Sequence, residues 1–121
     1  MRRIGWYIAA VVIALLIRRV IVGRSSPRIV AMKLDEDAQV IDVRTAAECA
    51  HGMYPGATNI PLDELSRRTG ELGDKERPIV VYCHSGTRSA MARRILLKAG
   101  FGDVVNAGRF RRMMSLKQEQ P

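Results

Sequence analysis

Cysteine is scarce in this chain. Cys49 and Cys83 are the only two among 121 residues, too few for a disulfide framework. Histidine is as sparse, and His51 and His84 beside two separated cysteines make no ligand cluster, so neither a metal nor an organic cofactor is implied. Aromatic residues make up 5% of the chain and are not interleaved with arginine as in proteins that bind single-stranded nucleic acid. No segment is duplicated, and the length gives room for one domain of ordinary size. Acidic residues are missing from positions 1–28, which carry six arginines, while residues 109–121 hold four basic groups against Glu119. The stretch 29–108 balances ten basic residues with eleven acidic ones. The formal charge of +8 therefore sits at the two ends, which favours a membrane surface near the amino end and gives no basic face for nucleic acid.

What is present centres on residues 78–99. Ile79 to Tyr82 is a β-branched and aromatic run, the composition of a strand buried on both faces. Ser89 to Ala99 recurs at helical spacing, with Met91, Ala92, Ile95, Leu96 and Ala99 on one side and Gly100 placed as the residue after the cap. Cys83 thus falls at the carboxyl end of a strand with a helix starting just beyond it. A tight strand-to-helix loop turns successive backbone N–H groups inward, and the helix start adds unpaired donors and a positive dipole end, so an anion carried on the Cys83 sulfur is stabilised. Gly86 removes the Cβ penalty where the loop bends, and Arg88 places a permanent positive fork at its far end.

Elsewhere the pattern is simpler. Ile4 to Ile17 is an unbroken apolar run of 14 residues between Arg2-Arg3 and Arg18-Arg19. It extends through Val22 if the two following arginines snorkel, to about 28 Å of helix. The run is apolar all round, carries Trp6 and Tyr7 at one end, and lacks a small-x-small cleavage pattern, so residues 4–22 are expected to be an uncleaved single-pass anchor. The excess of arginine after it points the rest of the chain to the cytoplasmic side of a cell membrane. Ser26-Pro27 is a helix start for a segment running to about Leu34. Val40 to Val43 and Ala57 to Ile60 are expected strands, with a helix over Leu62 to Arg68 and a last strand over Gly102 to Asn106. A basic helix is expected over Arg109 to Leu116, with Lys117 to Pro121 fraying. Asp42 and Arg44 lie at the carboxyl end of the first strand, where parallel α/β sheets bind ligands. Arg44 is either a substrate contact or, at i, i+4 spacing, the partner of Glu48; the second reading is favoured.

The spacing Cys83-x-x-Gly86-x-Arg88-Ser89 at a strand-to-helix junction resembles the active-site loop of the rhodanese family of sulfurtransferases. Val40-Ile-Asp42-Val-Arg44, Glu48, Gly52, Pro55-Gly-Ala57 and Asn59-Ile-Pro61 follow that family's order, and the resemblance covers roughly residues 27–115. It implies a single-domain α/β fold, a parallel sheet of four or five strands with helices on both faces, preceded here by one transmembrane helix. The division expected is 1–23 for the anchor and 24–121 for the rhodanese-like domain. It also implies that Cys83 takes sulfane sulfur from a small-molecule donor such as thiosulfate and passes it, as a persulfide, to cyanide or a thiol. In that scheme His84, Ser85, Gly86, Thr87 and Arg88 bind substrate, with Asp42 and Arg44 as substrate or structural groups. Alternatives are a membrane-tethered sulfur carrier or adaptor without free turnover, and a cysteine phosphatase or arsenate reductase of related fold. The chain departs from the family at Cys49, commonly aromatic; at Met53, commonly histidine; at Arg109, commonly glycine; and at Met113, near a common tryptophan.

Overall fold

A computed structural model describes residues 2–22 and 24–119. In chain order the elements are α1 (Arg2–Val22), α2 (Pro27–Asp35), β1 (Gln39–Asp42), α3 (Ala46–Cys49), β2 (Thr58–Asn59), α4 (Leu62–Arg68), a 3-10 turn (Thr69–Leu72), β3 (Ile79–Cys83), α5 (Thr87–Lys98), β4 (Val104–Arg109) and α6 (Phe110–Glu119). The four strands form one parallel sheet in the order β2-β1-β3-β4. All five residues of β3 are buried, as its composition requires for a central strand covered on both faces.

Alternation along β3 divides the core in two. Ile79, Val81 and Cys83 face one layer with Leu65, Ala92 and Leu96 of α4 and α5. Val80 and Tyr82 face the other with Val30, Met113 and Leu116 of α2 and α6. Met113 is fully buried there, filling the place the resemblance assigns to an indole. Between β3 and β4 the register slips, Val81 opposing Asn106 while Tyr82 opposes Gly108. The extra residue bends β4 beside the end of β3 where Cys83 lies.

Local signals account for the helix ends. Ser26 caps α2 by accepting from the Ile29 N–H at 3.3 Å, and Pro27 occupies the first turn, where no N–H is needed. Gly100 follows α5 at φ 101°, a left-handed conformation costly for any side chain. The tail helix begins one residue later than expected and runs to Glu119, so the expected fraying of Lys117 to Glu119 is not seen. Residues 120 and 121 lie outside the described residues.

The sheet has four strands among the described residues, the smaller of the two numbers expected; in place of a fifth strand there is one backbone bond, from Ser25 N–H to Asn106 O at 2.9 Å on the free edge of β4. One expectation is corrected, and it concerns α1. It is helical and every side chain from Arg3 to Ile17 is exposed, yet among the described residues no helix is long and apolar enough to cross a membrane. The physical reason is length: 14 apolar residues make about 21 Å of helix, against a hydrocarbon core of about 30 Å. The snorkelling expected of Arg18 and Arg19 falls on side chains outside those described.

Candidate active site

Cys83 ends β3 and its side chain is wholly buried in the layer beneath α5. The loop after it turns back on the sulfur: the Gly86 N–H donates to Cys83 Sγ at 2.9 Å. Gly86 adopts φ 101° as the residue preceding α5, so the turn depends on its lack of a Cβ. Ser89, in the first turn of α5, is fully buried and locks this geometry. Its hydroxyl donates to Gly86 O at 3.0 Å and lies 3.4 Å from Cys83 Sγ, where it can accept from the thiol. The first turn of α5 contains no carboxylate, leaving its unpaired N–H groups and dipole end uncompensated on the loop side. His84, Ser85 and Thr87 are exposed around this ring, Gly86 is buried and Arg88 half-buried.

The arginines are arranged differently from the spacing-based expectation. Arg44 does not pair with Glu48. Its guanidinium meets the Asp42 carboxylate at 2.6 Å, in a pair where both side chains are almost fully buried. It also donates to Gly52 O at 2.8 Å and lies 4.3 Å from the Phe110 ring centroid. Asp42 stands in register with Tyr82, on the face of the sheet opposite Cys83, so the Asp42–Arg44 pair belongs to the layer under α2 and α6. Burial works to raise the Asp42 pKa, but hydrogen bonds from Arg44 and Tyr82 outweigh it and hold the carboxyl below its ordinary value. Burial first, then the hydrogen bond to Asp42, push the Tyr82 phenol up. The same phenol oxygen accepts from the Tyr54 N–H at 2.9 Å. Together Arg44 and Tyr82 tie down the Gly52–Tyr54 backbone, the bracing that the resemblance assigns to a histidine where Met53 stands.

Glu48 instead binds Arg88 in a two-pronged pair at 2.6 and 2.8 Å. It also closes a capping box with Thr45 at the start of α3. The Arg88 guanidinium, and after it the Thr45 bonds, hold the Glu48 carboxyl down at about 2 against partial burial. Arg88 in turn keeps its proton more tightly, through Glu48 above all, with a smaller contribution from Cys83. Arg88 thus approaches the loop already neutralised. Sequence reasoning missed Glu48 as its partner and Ser89 as the lock on the loop; the Thr45-x-x-Glu48 box was the available sign that Glu48 is fixed in place. Cys49, the other cysteine, is buried, and burial followed by the neighbouring Asp42 pushes its thiol up to about 11. It is a small apolar filler at neutral pH.

The arrangement is a buried sulfur that accepts from the Gly86 N–H at a strand-to-helix turn. The model of the rhodanese-like domain matches residues 26–107. The chain is 42% identical over 71 residues to a sulfurtransferase of Allochromatium vinosum, covering 59% of this chain and 65% of that one. It is 39% identical over 69 residues to the thiosulfate sulfurtransferase PspE of Escherichia coli, covering 56% of this chain and 66% of that one. It therefore spans just under two thirds of the length of either relative. The structure also matches a rhodanese with anions from E. coli with a TM-score of 0.60 at 36% identity, over 62% of this chain and 89% of that one. By its matched residues, its parallel four-stranded sheet and its cysteine loop, the chain belongs to the rhodanese-like domain family.

Proposed function

We propose that the protein is a sulfurtransferase that carries sulfane sulfur on Cys83. The observation that carries this reading is the Gly86 N–H aimed at Cys83 Sγ at 2.9 Å, in a loop that closes on a single sulfur atom. The Cys83 thiolate attacks the outer sulfur of thiosulfate; a new S–S bond forms, the donor's S–S bond breaks, and sulfite leaves with its electron pair. The resulting persulfide anion is held by the Gly86 N–H and the N–H groups of the α5 start, which are fixed in place before the charge arrives. Cyanide or a thiolate then attacks the outer sulfur and returns Cys83 as thiolate. The names of the relatives support this direction, and the donor and acceptor are part of the proposal.

Incubating the full chain with thiosulfate tests it. The intact protein should become one sulfur heavier, cyanide should remove that sulfur as thiocyanate, and Cys83→Ser should abolish both steps while Cys49→Ser does not. Persulfide on Cys49 alone would overturn the site, and turnover of aryl phosphates without persulfide would overturn the reaction.

Localisation is a separate proposal. We propose that the exposed apolar run Ile4 to Ile17, bracketed by arginines, lodges in a cell membrane without needing to cross it, with the domain at the cytoplasmic face. Its apolar side chains on every face of the helix support this. The intact chain should stay with membranes through high-salt and carbonate washing; its recovery in the soluble fraction would refute the proposal.

A further inference from the structure

The two arginines expected at the site both arrive with a carboxylate: Arg44 with Asp42 and Arg88 with Glu48. Arg24, in the segment between α1 and α2, makes no ion pair among the described residues, and it lies on the loop itself. Its Nη2 donates to Ser85 O at 3.2 Å. A Cβ placed on Gly86 would meet Arg24 Nη2 at 3.2 Å and Nε at 3.3 Å; one placed on Gly108 would meet Arg24 Cδ at 3.5 Å. Both glycines have positive φ; the approach to Gly86 is tighter than a Cβ would comfortably allow, while that to Gly108 is ordinary packing distance.

The segment that delivers Arg24 is fastened on both sides of Ser25. The Ser25 N–H donates to Asn106 O at 2.9 Å, and Arg112 Nη2 donates to Ser25 O. Arg112 is partly buried, and burial first, then the positive charge of Arg24, make it hold its proton less firmly than usual. Arg24 and Arg112 thus lie on either side of the same short segment, and among the described residues neither forms a salt bridge with a carboxylate.

We infer that Arg24 receives the anionic end of the sulfur donor at the mouth of the Cys83 loop and so sets a preference for doubly charged donors. The inference rests on the sulfurtransferase reading and adds a donor-binding residue from outside the loop. In the resting protein the guanidinium holds a neutral carbonyl at 3.2 Å; an incoming oxyanion offers shorter, charge-assisted bonds, so the exchange favours the donor. The donor's outer sulfur is then held near Gly86, whose N–H lies on Cys83 Sγ.

The test compares two donors that deliver the same sulfur by the same bond change. Thiosulfate carries two negative charges and releases sulfite; methanethiosulfonate carries one and releases methanesulfinate. Sulfur loading of the full chain is followed by intact mass, and turnover by thiocyanate release, for wild type, Arg24→Gln, Arg24→Lys and, as a control for lost charge elsewhere, Arg67→Gln. Arg24→Gln should raise the KM for thiosulfate about tenfold and that for methanethiosulfonate about threefold, with kcat within about twofold. Arg24→Lys should recover most of the loss, Arg67→Gln should change neither, and added salt should narrow the gap. Equal losses on both donors, a loss confined to kcat, or no loss would overturn the inference while leaving the sulfurtransferase reading intact. Failure of wild type to take sulfur from either donor would instead refute that reading, and the inference with it.

Discussion

Removing the charge of Asp42 while keeping its shape isolates the pair that holds the carboxyl end of β1. Asp42 is fully buried and accepts from the Arg44 N–H at 2.9 Å, from Nε at 3.0 Å and from Nη2 at 2.6 Å, while Arg44 is only 4% exposed. Asp42→Asn puts an NH2 group where one of those oxygens accepts and leaves a guanidinium buried without a counter-charge. Breaking one partner of such a pair costs about 3 to 5 kcal/mol. Contact with the Phe110 ring, which survives the substitution, retains about 1 kcal/mol, so the lower part of that range is expected. For a domain of this size that corresponds to a fall in Tm of roughly 15 to 25 °C. Urea denaturation of the full chain should show the loss as a lower midpoint with an unchanged slope. Because the folded-state pKa of Asp42 lies below its ordinary 3.8, the wild-type advantage should be complete at neutral pH and close only as pH falls below the unfolded value. Asp42→Asn with Arg44→Met should be more stable than Asp42→Asn alone, since the second change removes the unpaired charge. A loss under about 1 kcal/mol, or further destabilisation in the double variant, would refute the reasoning.

Glu48→Gln should cost about 1 kcal/mol at pH 7, reduced from the full pKa shift because about a third of each partner is exposed. Glu48 is held at about 2 against an ordinary 4.5, so its contribution is present above about pH 4.5 and lost as pH falls towards 2; acid titrations of the two proteins should converge there. Gly86→Ala should leave the fold in place and slow sulfur loading about tenfold, because the residue is at φ 101° and its new methyl group meets Arg24. A Gly86→Ala protein that loads sulfur at the wild-type rate would show that the turn is not what holds the sulfur.

The parts of this structure that were legible in the sequence are those decided by neighbours along the chain. Ser26-Pro27 opens α2, Gly100 closes behind α5, and the β-branched run before Cys83 is the central strand. Partners across the fold were not legible. Spacing suggested Arg44 with Glu48, but the i, i+4 rule holds only when both residues lie in one helix. Arg44 precedes Thr45, the cap of α3, so its side chain is not aligned with that helix and turns back to Asp42. Glu48 is left for Arg88, 40 positions away, where no local rule applies. Arg24 escaped notice for a related reason: it sits in a linker with no periodicity, and its place over Gly86 depends on the Ser25 bond to the edge of β4.

The pairing of these arginines bears on what the loop can hold. With Arg88 bound to Glu48, what the loop itself turns on the sulfur is the Gly86 N–H dipole and not a free cation. Dipoles act over a shorter range than charges, so the ring discriminates by how closely an anion can approach. From Cys83 to Arg88 there are four intervening residues, one fewer than in the related phosphatases that surround a tetrahedral oxyanion. The ring has already closed to 2.9 Å on the cysteine sulfur, and Ser89 holds it there through Gly86 O. A single added sulfur shifts the anion by one bond length and can still meet the same N–H groups. A phosphoryl group needs several donors spread around three oxygens, whereas the loop's Gly86 N–H is already directed at the sulfur. On the proposed sulfurtransferase reading a division of labour follows: the loop would hold the monatomic anion on Cys83, and Arg24, which no carboxylate neutralises among the described residues, would meet the larger anion that brings the sulfur in.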